Sequence, residues 1–231
     1  MVKLFADGAD KAGILEMYRS PRIDGFTTNP TLMRKAGITD YVAFAKDLLR
    51  EIPDKPISFE VFADEFGEME RQAVEIADWG RNVYVKIPVM NTKRKTSYDL
   101  VRKLSQAGVQ LNITAIMTLD QVNKVAEAVQ EGPSCFVSVF AGRIADTGVD
   151  PVPLMKEALK YLKKPKNAKL LWASPREVLN VYQAESIGCH VITATNDILK
   201  KLNLKGKDLT DFSQETVQMF YNDAQAAGFN L

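Results

Sequence analysis

Lys86 is a lone charge in the apolar stretch Val83-Tyr84-Val85-Lys86-Ile87-Pro88-Val89. A short β-branched stretch of this kind predicts a buried strand. Burial of an ammonium is costly unless the group loses its proton or finds a partner. Desolvation draws a lysine pKa down from about 10.4 towards neutrality, and the resulting free amine attacks carbonyl groups. The competing use of such a residue is a lysine that snorkels from a strand end or pairs with a carboxylate.

Strand side chains alternate with a period of two, so parity separates the residues that share the face of Lys86 from those that do not. Val83, Val85, Ile87 and Val89 form an apolar face, and Lys86 falls on the other with Tyr84 and Pro88. The same split places Glu60 with Ser58 and Phe62, Asn112 with Thr114, Ser138 with Phe140, and Asp7 with Phe5 and Lys3. A lysine, two carboxylates, an amide and hydroxyls meeting at one place would each need a partner there. Together they make a set suited to imine chemistry: an amine nucleophile, acid–base groups and donors for hydroxyls.

Two further stretches carry anion-binding character. Phe140-Ala141-Gly142-Arg143 follows one apolar run, and Ala173-Ser174-Pro175-Arg176 follows the next and is expected to open a helix. Arginine offers a planar fork to phosphate oxygens, and a helix start adds free N–H groups and the positive end of the dipole.

Such convergence requires a scaffold. Eight strand-like runs are found, Leu4–Ala6, Ile23–Thr27, Ile57–Phe62, Val83–Ile87, Val109–Ile113, Cys135–Phe140, Ala168–Ala173 and Cys189–Ala194. Helix-period segments lie between them, among them Tyr41–Glu51, Glu65–Trp79, Ser97–Ala107, Leu119–Gln130, Pro153–Lys164 and Pro175–Ser186. No linker or low-complexity stretch divides the 231 residues. Eight βα units in one domain predict an α/β fold of the parallel (β/α)8 TIM-barrel type, whose active site sits at the C-terminal ends of the strands. A doubly wound open sheet would also alternate, but its glycine fingerprint is missing. Ser213–Gly228 reads as an extra C-terminal helix that needs a surface to pack on, its own barrel or a neighbouring subunit.

Composition narrows the function. With 30 basic and 29 acidic residues spread along the chain, nothing resembles a nucleic-acid-binding stripe, and a small-molecule substrate is expected. The single histidine, His190, is expected as a core residue of a strand; multi-histidine metal sites are excluded and no metal is expected. Neither a P-loop nor a dinucleotide fingerprint occurs, so the chemistry is expected to need no cofactor. Cys135 and Cys189 read as buried free thiols of a reducing compartment. Without a signal peptide pattern or a membrane-length apolar stretch, the expectation is a cytoplasmic protein that meets no membrane.

The stretches Gly25-Phe26-Thr27-Thr28-Asn29-Pro30, Val83–Val89, Leu111-Asn112-Ile113-Thr114-Ala115, Ser138–Arg143 and Ala173–Arg176 occur in an order that resembles the transaldolase family. The likeness is closer to its short single-barrel branch, which includes the fructose-6-phosphate aldolases. It implies Lys86 as the Schiff-base lysine and Asp7 as the acid–base group beside the C–C bond. Glu60 would activate a water held by Thr114. Asn29, Asn112 and Ser138 would bind donor hydroxyls, and Arg143, Arg176 and Ser174 the sugar phosphate. Glu60 and Phe140 match the transaldolase pattern, where the aldolase branch resembles Gln and Tyr. The implied reaction moves a dihydroxyacetone unit from sedoheptulose 7-phosphate to glyceraldehyde 3-phosphate in the pentose phosphate pathway, giving erythrose 4-phosphate and fructose 6-phosphate. The alternatives are a fructose-6-phosphate or dihydroxyacetone aldolase and a non-catalytic sugar-phosphate-binding barrel. The resemblance further implies a homo-oligomer, with decamers common in this branch. Gly8, Val139, Trp172, Pro175 and the pair Thr195-Asn196 depart from the family pattern, several of them expected on the acceptor side.

Overall fold

The structure is a computed structural model that describes residues 1–229. Its strands are β1 (Lys3–Asp7), β2 (Ile23–Thr27), β3 (Ile57–Glu60), β4 (Val83–Pro88), β5 (Leu111–Ile116), β6 (Cys135–Val139), β7 (Ala168–Trp172) and β8 (Val191–Thr195). Between and after them lie α1 (Lys11–Tyr18), α2 (Pro30–Lys35), α3 (Tyr41–Glu51), α4 (Phe66–Ala77), α5 (Tyr98–Gln106), α6 (Leu119–Ala128), α7 (Ala141–Ala145), α8 (Pro151–Tyr161), α9 (Leu179–Ser186), α10 (Asn196–Lys200), a 3-10 turn (Lys201–Leu204) and α11 (Leu209–Ala227). The strands close in sequence order, β1 to β8 and back, and every pairing is parallel. This is the (β/α)8 TIM barrel.

The chain forms two compact units, Met1–Leu199, which holds all eight strands, and a second that begins at Lys200. In the second, Asp208 caps α11 by accepting from the Thr210 and Asp211 amides, so the helix starts ahead of the expected Ser213. Gly228 ends it in the left-handed conformation (φ 65°) that glycine adopts without strain.

Alternation along each strand builds the barrel in layers. Val83, Val85, Ile87 and Val89 are fully or almost fully buried on the outward face of the β4 segment. Inside, Phe5, Tyr84, Phe136, Leu171 and Val191 form an apolar floor. Phe136 is edge-on to Phe5 with ring centroids 5.3 Å apart and lies 4.4 Å from Tyr84. Gly25 is required at this floor, because a Cβ there would lie 2.6 Å from the Phe5 ring. Polar side chains occupy the strand positions above the floor.

Several expected boundaries move, each for a local reason. β3 stops at Glu60 because the Phe62 and Ala63 amides donate to Gln72 Oε1 (2.8 and 3.0 Å), which leaves Phe62 about half exposed instead of inside the barrel. β5 runs on to Ile116, with Ala115 at φ 59° and the register to β6 shifted beyond Ile113. α9 starts at Leu179, not at Pro175, because Asn180 Oδ1 accepts from the Arg176 and Glu177 amides (2.8 and 3.2 Å) and holds them in a turn. His190 is exposed ahead of β8, not in its core, and its Nδ1 accepts from the Leu170 amide at 3.0 Å. Lys3 is likewise exposed at the start of β1. Cys135 and Cys189 are buried free thiols, both pushed up to about 12 by burial.

Candidate active site

A cavity of about 360 Å³ opens at the C-terminal mouth of the barrel. Asp7, Asn29, Glu60, Lys86, Asn112, Thr114, Ser138, Phe140, Arg143 and Ser174 all line it. Ten of the eleven residues singled out from sequence therefore share one space, and the exception is Arg176.

Strand register explains the meeting. Glu60 on β3 is level with Lys86 on β4, which is level with Asn112 on β5. Lys86 is buried and has partners: Nζ donates to the Thr28 carbonyl at 2.7 Å and to Glu60 Oε2 at 3.2 Å. The carboxylate that sequence parity placed on its face is thus its ion-pair partner.

Asp7 ends β1 on the opposite wall, level with Thr27 of β2 and Thr195 of β8. Thr27 Oγ1 donates to Asp7 Oδ1 at 2.8 Å, and Asn29 Nδ2 donates to Oδ2 at 3.3 Å. Thr27 and Thr193 hydroxyls lie 2.6 Å apart. A hydroxyl has one proton, so with Thr27 donating to Asp7, Thr193 must donate to Thr27. Asn29 is also the N-cap of α2, its Oδ1 accepting from the Leu32 amide at 2.9 Å, with Pro30 at the first helical position. That cap fixes the amide so that its NH2 faces Asp7. Burial pushes the Asp7 carboxyl above the usual range; the Lys86 charge and the bonds from Thr27 and Asn29 pull it back, and the Glu60 charge adds to the rise.

Below them, Ser138 Oγ donates to Asn112 Oδ1 at 2.6 Å and Asn112 Nδ2 donates to Ser58 Oγ at 3.0 Å. This buried chain leaves the Asn112 amide in one orientation. Thr114 is buried one inward step above Asn112 and level with Pro88.

The mouth is shaped by β6 and β7. The Arg143 guanidinium carbon lies 6.0 Å from the centroid of the Phe140 ring, within cation–π range. Gly142 lies so close to the next loop that a Cβ would fall 1.5 Å from the Ser174 carbonyl oxygen, and Ser174 itself sits at φ 58°. Arg176 turns away and pairs through both nitrogens with Asp146, its Nε donating to Oδ1 at 2.9 Å. The two arginines therefore do not converge in this structure. Trp172 and Val139 are fully buried on the outward faces of their strands, away from the cavity, whereas Thr195 lines it.

Sequence patterning does not single out Thr27, Thr193 or Thr28. Parity could have found the first two, since Thr27 shares a face with Gly25 and Thr193 lies two residues beyond Val191. Thr28 acts through its carbonyl, which no side-chain pattern reveals. Tyr41, on α3, bonds the main chain of Glu60 and carries no sequence signal for that contact. Among the described residues, no group of three or more His, Cys, Asp or Glu side chains is placed to hold a metal, and no helix is long and apolar enough to cross a membrane.

Fold and cavity define the class: a TIM barrel whose C-terminal mouth holds a buried lysine between carboxylates. Comparison with known sequences then makes the assignment specific. Residues 4–231 match the model of the transaldolase/fructose-6-phosphate aldolase family, and the chain belongs to that family. It is 32% identical over 202 residues to a probable transaldolase of Dehalococcoides mccartyi, covering 87% of this chain and 90% of the relative. A probable transaldolase of Thermoanaerobacter sp. is 30% identical over 231 residues, the full length of both chains. A third, from Brucella anthropi, is 34% identical over 216 residues, covering 93% of this chain and 94% of the relative. A crystal structure of KGPDC from Streptococcus mutans superposes with a TM-score of 0.57 at 13% identity, covering 84% of this chain and 88% of the other, a likeness of fold alone. The family and its relatives make this a transaldolase-like enzyme of aldolase-type sugar-phosphate chemistry.

Proposed function

We propose that the protein transfers a dihydroxyacetone unit between sugar phosphates through a Schiff base on Lys86. The observation that carries this reading is the placement of Lys86 Nζ 3.2 Å from Glu60 in a cavity that Asp7 also lines. Glu60 can take the ammonium proton, and the free amine then adds to the ketone carbonyl of the donor. Glu60 returns a proton to the leaving hydroxyl, water departs, and an iminium forms, with Thr114 beside that water. The iminium is an electron sink. Asp7 removes the proton from the hydroxyl next to the C–C bond, the bond breaks, an aldose phosphate leaves, and an enamine remains on Lys86.

The enamine then attacks the aldehyde carbon of an acceptor. Asp7 gives its proton to the new alkoxide, and water hydrolyses the iminium to free the product and Lys86. The raised Asp7 pKa suits a group that must hold a proton between these two steps. Asn29, Asn112 and Ser138 would bind the donor hydroxyls, and Arg143, Ser174 and Arg176 the phosphate. The substrates would be sedoheptulose 7-phosphate and glyceraldehyde 3-phosphate, and the setting the pentose phosphate pathway in the cytoplasm.

The alternative within the family is aldol cleavage without an acceptor. Phe140 favours transfer, because its ring lines the cavity and offers no hydroxyl to help water or a free donor use the intermediate. The exposed apolar side chains of α11, Val217, Phe220 and Tyr221 among them, support assembly into a homo-oligomer. A monomer by light scattering at micromolar concentration would remove that part of the proposal.

Borohydride reduction with fructose 6-phosphate, followed by peptide mass spectrometry, tests the mechanism. A sugar-derived adduct on Lys86 that Lys86→Arg lacks is the expected result. An unmodified Lys86 despite bound sugar phosphate would reduce the protein to a binder.

A further inference from the structure

We propose that Tyr41 is a positioning residue for the Lys86–Glu60 pair, its phenol occupying the Glu60 amide and so leaving the Thr28 carbonyl to Lys86. The inference rests on the imine reading of the site.

The seam between β2 and β3 carries it. Their ladder pairs Phe26 with Ile57 and Thr27 with Ser58. Across it the Phe26 amide donates to the Pro56 carbonyl at 2.8 Å, and the Thr28 amide donates to the Ser58 carbonyl at 3.3 Å. In a parallel ladder the next rung runs from the residue two beyond Ser58 to the Thr28 carbonyl. That residue is Glu60, and its amide goes elsewhere: it donates to Tyr41 Oη at 2.7 Å. The phenol donates in return to the Glu60 carbonyl at 3.0 Å. One side chain from α3 thus satisfies both main-chain groups that Glu60 presents to the seam. The Thr28 carbonyl, released from the ladder, accepts from Lys86 Nζ at 2.7 Å.

Tyr41 is fixed for this task. Asp40 caps α3 by accepting from the Ala43 amide at 2.9 Å, which makes Tyr41 the first residue of the helix. The ring stands edge-on to Phe59, Phe62 and Trp79, with centroids 6.2, 4.5 and 5.6 Å away. Burial pushes the phenol pKa up, so the group keeps its proton and remains a donor.

The chemical consequence concerns the moment Glu60 leaves the lysine. A carboxylate that exchanges protons with Nζ and with water cannot also be its constant anchor. The Thr28 carbonyl takes no proton and holds Nζ at the cavity wall throughout. Without the phenol, the Glu60 amide is free to close on Thr28 and complete the ladder, competing with the lysine for that oxygen and for its geometry.

The test is the rate of borohydride trapping at Lys86 with fructose 6-phosphate, followed against pH. Tyr41→Phe keeps the ring, and its trapping rate is expected to fall about tenfold, the order of one hydrogen bond to a charged group, with a shifted pH profile. KM for the donor stays within about twofold, since the phenol bonds only the main chain. Trp79→Phe thins the same aromatic cluster without touching the phenol and should trap like wild type. 4-Aminophenylalanine at position 41 keeps a donor and an acceptor and restores the rate, whereas the isosteric 4-fluorophenylalanine, which protects the fold, does not. Wild-type trapping in Tyr41→Phe, or an equal loss in Trp79→Phe, overturns the inference. Absence of trapping in the wild type would overturn the imine reading and this inference with it, and is seen before any variant is made.

Discussion

Arg176 holds Asp146 through both its Nε and its terminal nitrogen, and so faces along the barrel rim instead of into the cavity that Arg143 lines. Asp146 follows Arg143 by three residues, so one short segment, α7 and its C-cap, supplies both an arginine for the cavity and a carboxylate that occupies the other arginine. The Arg176 guanidinium and neighbouring Arg143 hold the Asp146 carboxyl below the usual range, so the pair is intact at neutral pH. A phosphate that reaches Arg176 competes with Asp146 for the same fork.

Asp146→Asn keeps the shape and removes the competing charge. KM for fructose 6-phosphate should fall about two- to fivefold, the small scale of a solvent-exposed ion pair, with kcat unchanged. KM for dihydroxyacetone, which has no phosphate, should not move. Steady-state kinetics with both donors checks this, and an equal change for both would show that Asp146 acts on the fold and not on the anion.

Asp7→Asn separates catalysis from stability. Activity should fall by about 10²–10⁴-fold, the range for loss of a general acid–base. Folding should respond in the opposite sense. The folded-state pKa of Asp7 is raised by burial, so ionising it in the folded chain is harder than in the unfolded one. Wild type therefore loses stability as pH rises from the unfolded carboxylate range through the folded pKa, and has lost none below both. Asp7→Asn should accordingly melt higher than wild type at neutral pH, with the gap closing as pH falls towards about 4 and below. Calorimetry across that range is the check, and a gap that widened towards acid would reverse the sign assigned to burial.

Much of the site was legible because it is written in strand parity. Asp7, Glu60, Lys86, Asn112 and Ser138 sit on short strands where a period of two forces a side chain in or out, and a closed barrel turns "in" into "together". The direction Arg176 takes was not legible, because it lies in a loop, where the backbone conformation is set by Asn180 and by the left-handed Ser174 instead of by a repeat. His190 failed because an apolar run does not show where its first rung falls. Thr28 and Tyr41 escaped for a deeper reason: they act on or through main-chain atoms, which every residue carries alike.

Gly142→Ala probes the contact that joins the segments following β6 and β7. A Cβ would fall 1.5 Å from the Ser174 carbonyl oxygen, an atom of the main chain that cannot rotate away. The loop after β7 must shift, and overpacking of this kind costs about 1–3 kcal/mol or more. The variant should lose that much in urea unfolding and bind sugar phosphate more weakly. Gly148→Ala, with nothing within 4 Å of its Cβ but a φ of 81°, is the control in which backbone strain acts without a clash. Equal effects on sugar-phosphate affinity would show that the Ser174 contact is not what matters.

Phe140→Tyr tests the choice between transfer and cleavage. The Phe140 ring lines the cavity beside Arg143 and packs on the apolar floor, so a para hydroxyl enters the cavity rim without displacing the ring. In the proposed mechanism, with Phe140 in place, the enamine on Lys86 would wait for an acceptor aldehyde. A phenol there gives water or a free donor a proton-transfer partner, and aldol cleavage of fructose 6-phosphate should rise about tenfold relative to transfer. The comparison needs both assays on one preparation: release of glyceraldehyde 3-phosphate from fructose 6-phosphate alone, and formation of sedoheptulose 7-phosphate when erythrose 4-phosphate is added. A ratio that stays at the wild-type value would mean that the missing hydroxyl does not decide the fate of the intermediate, and the proposed preference for transfer would lose this support.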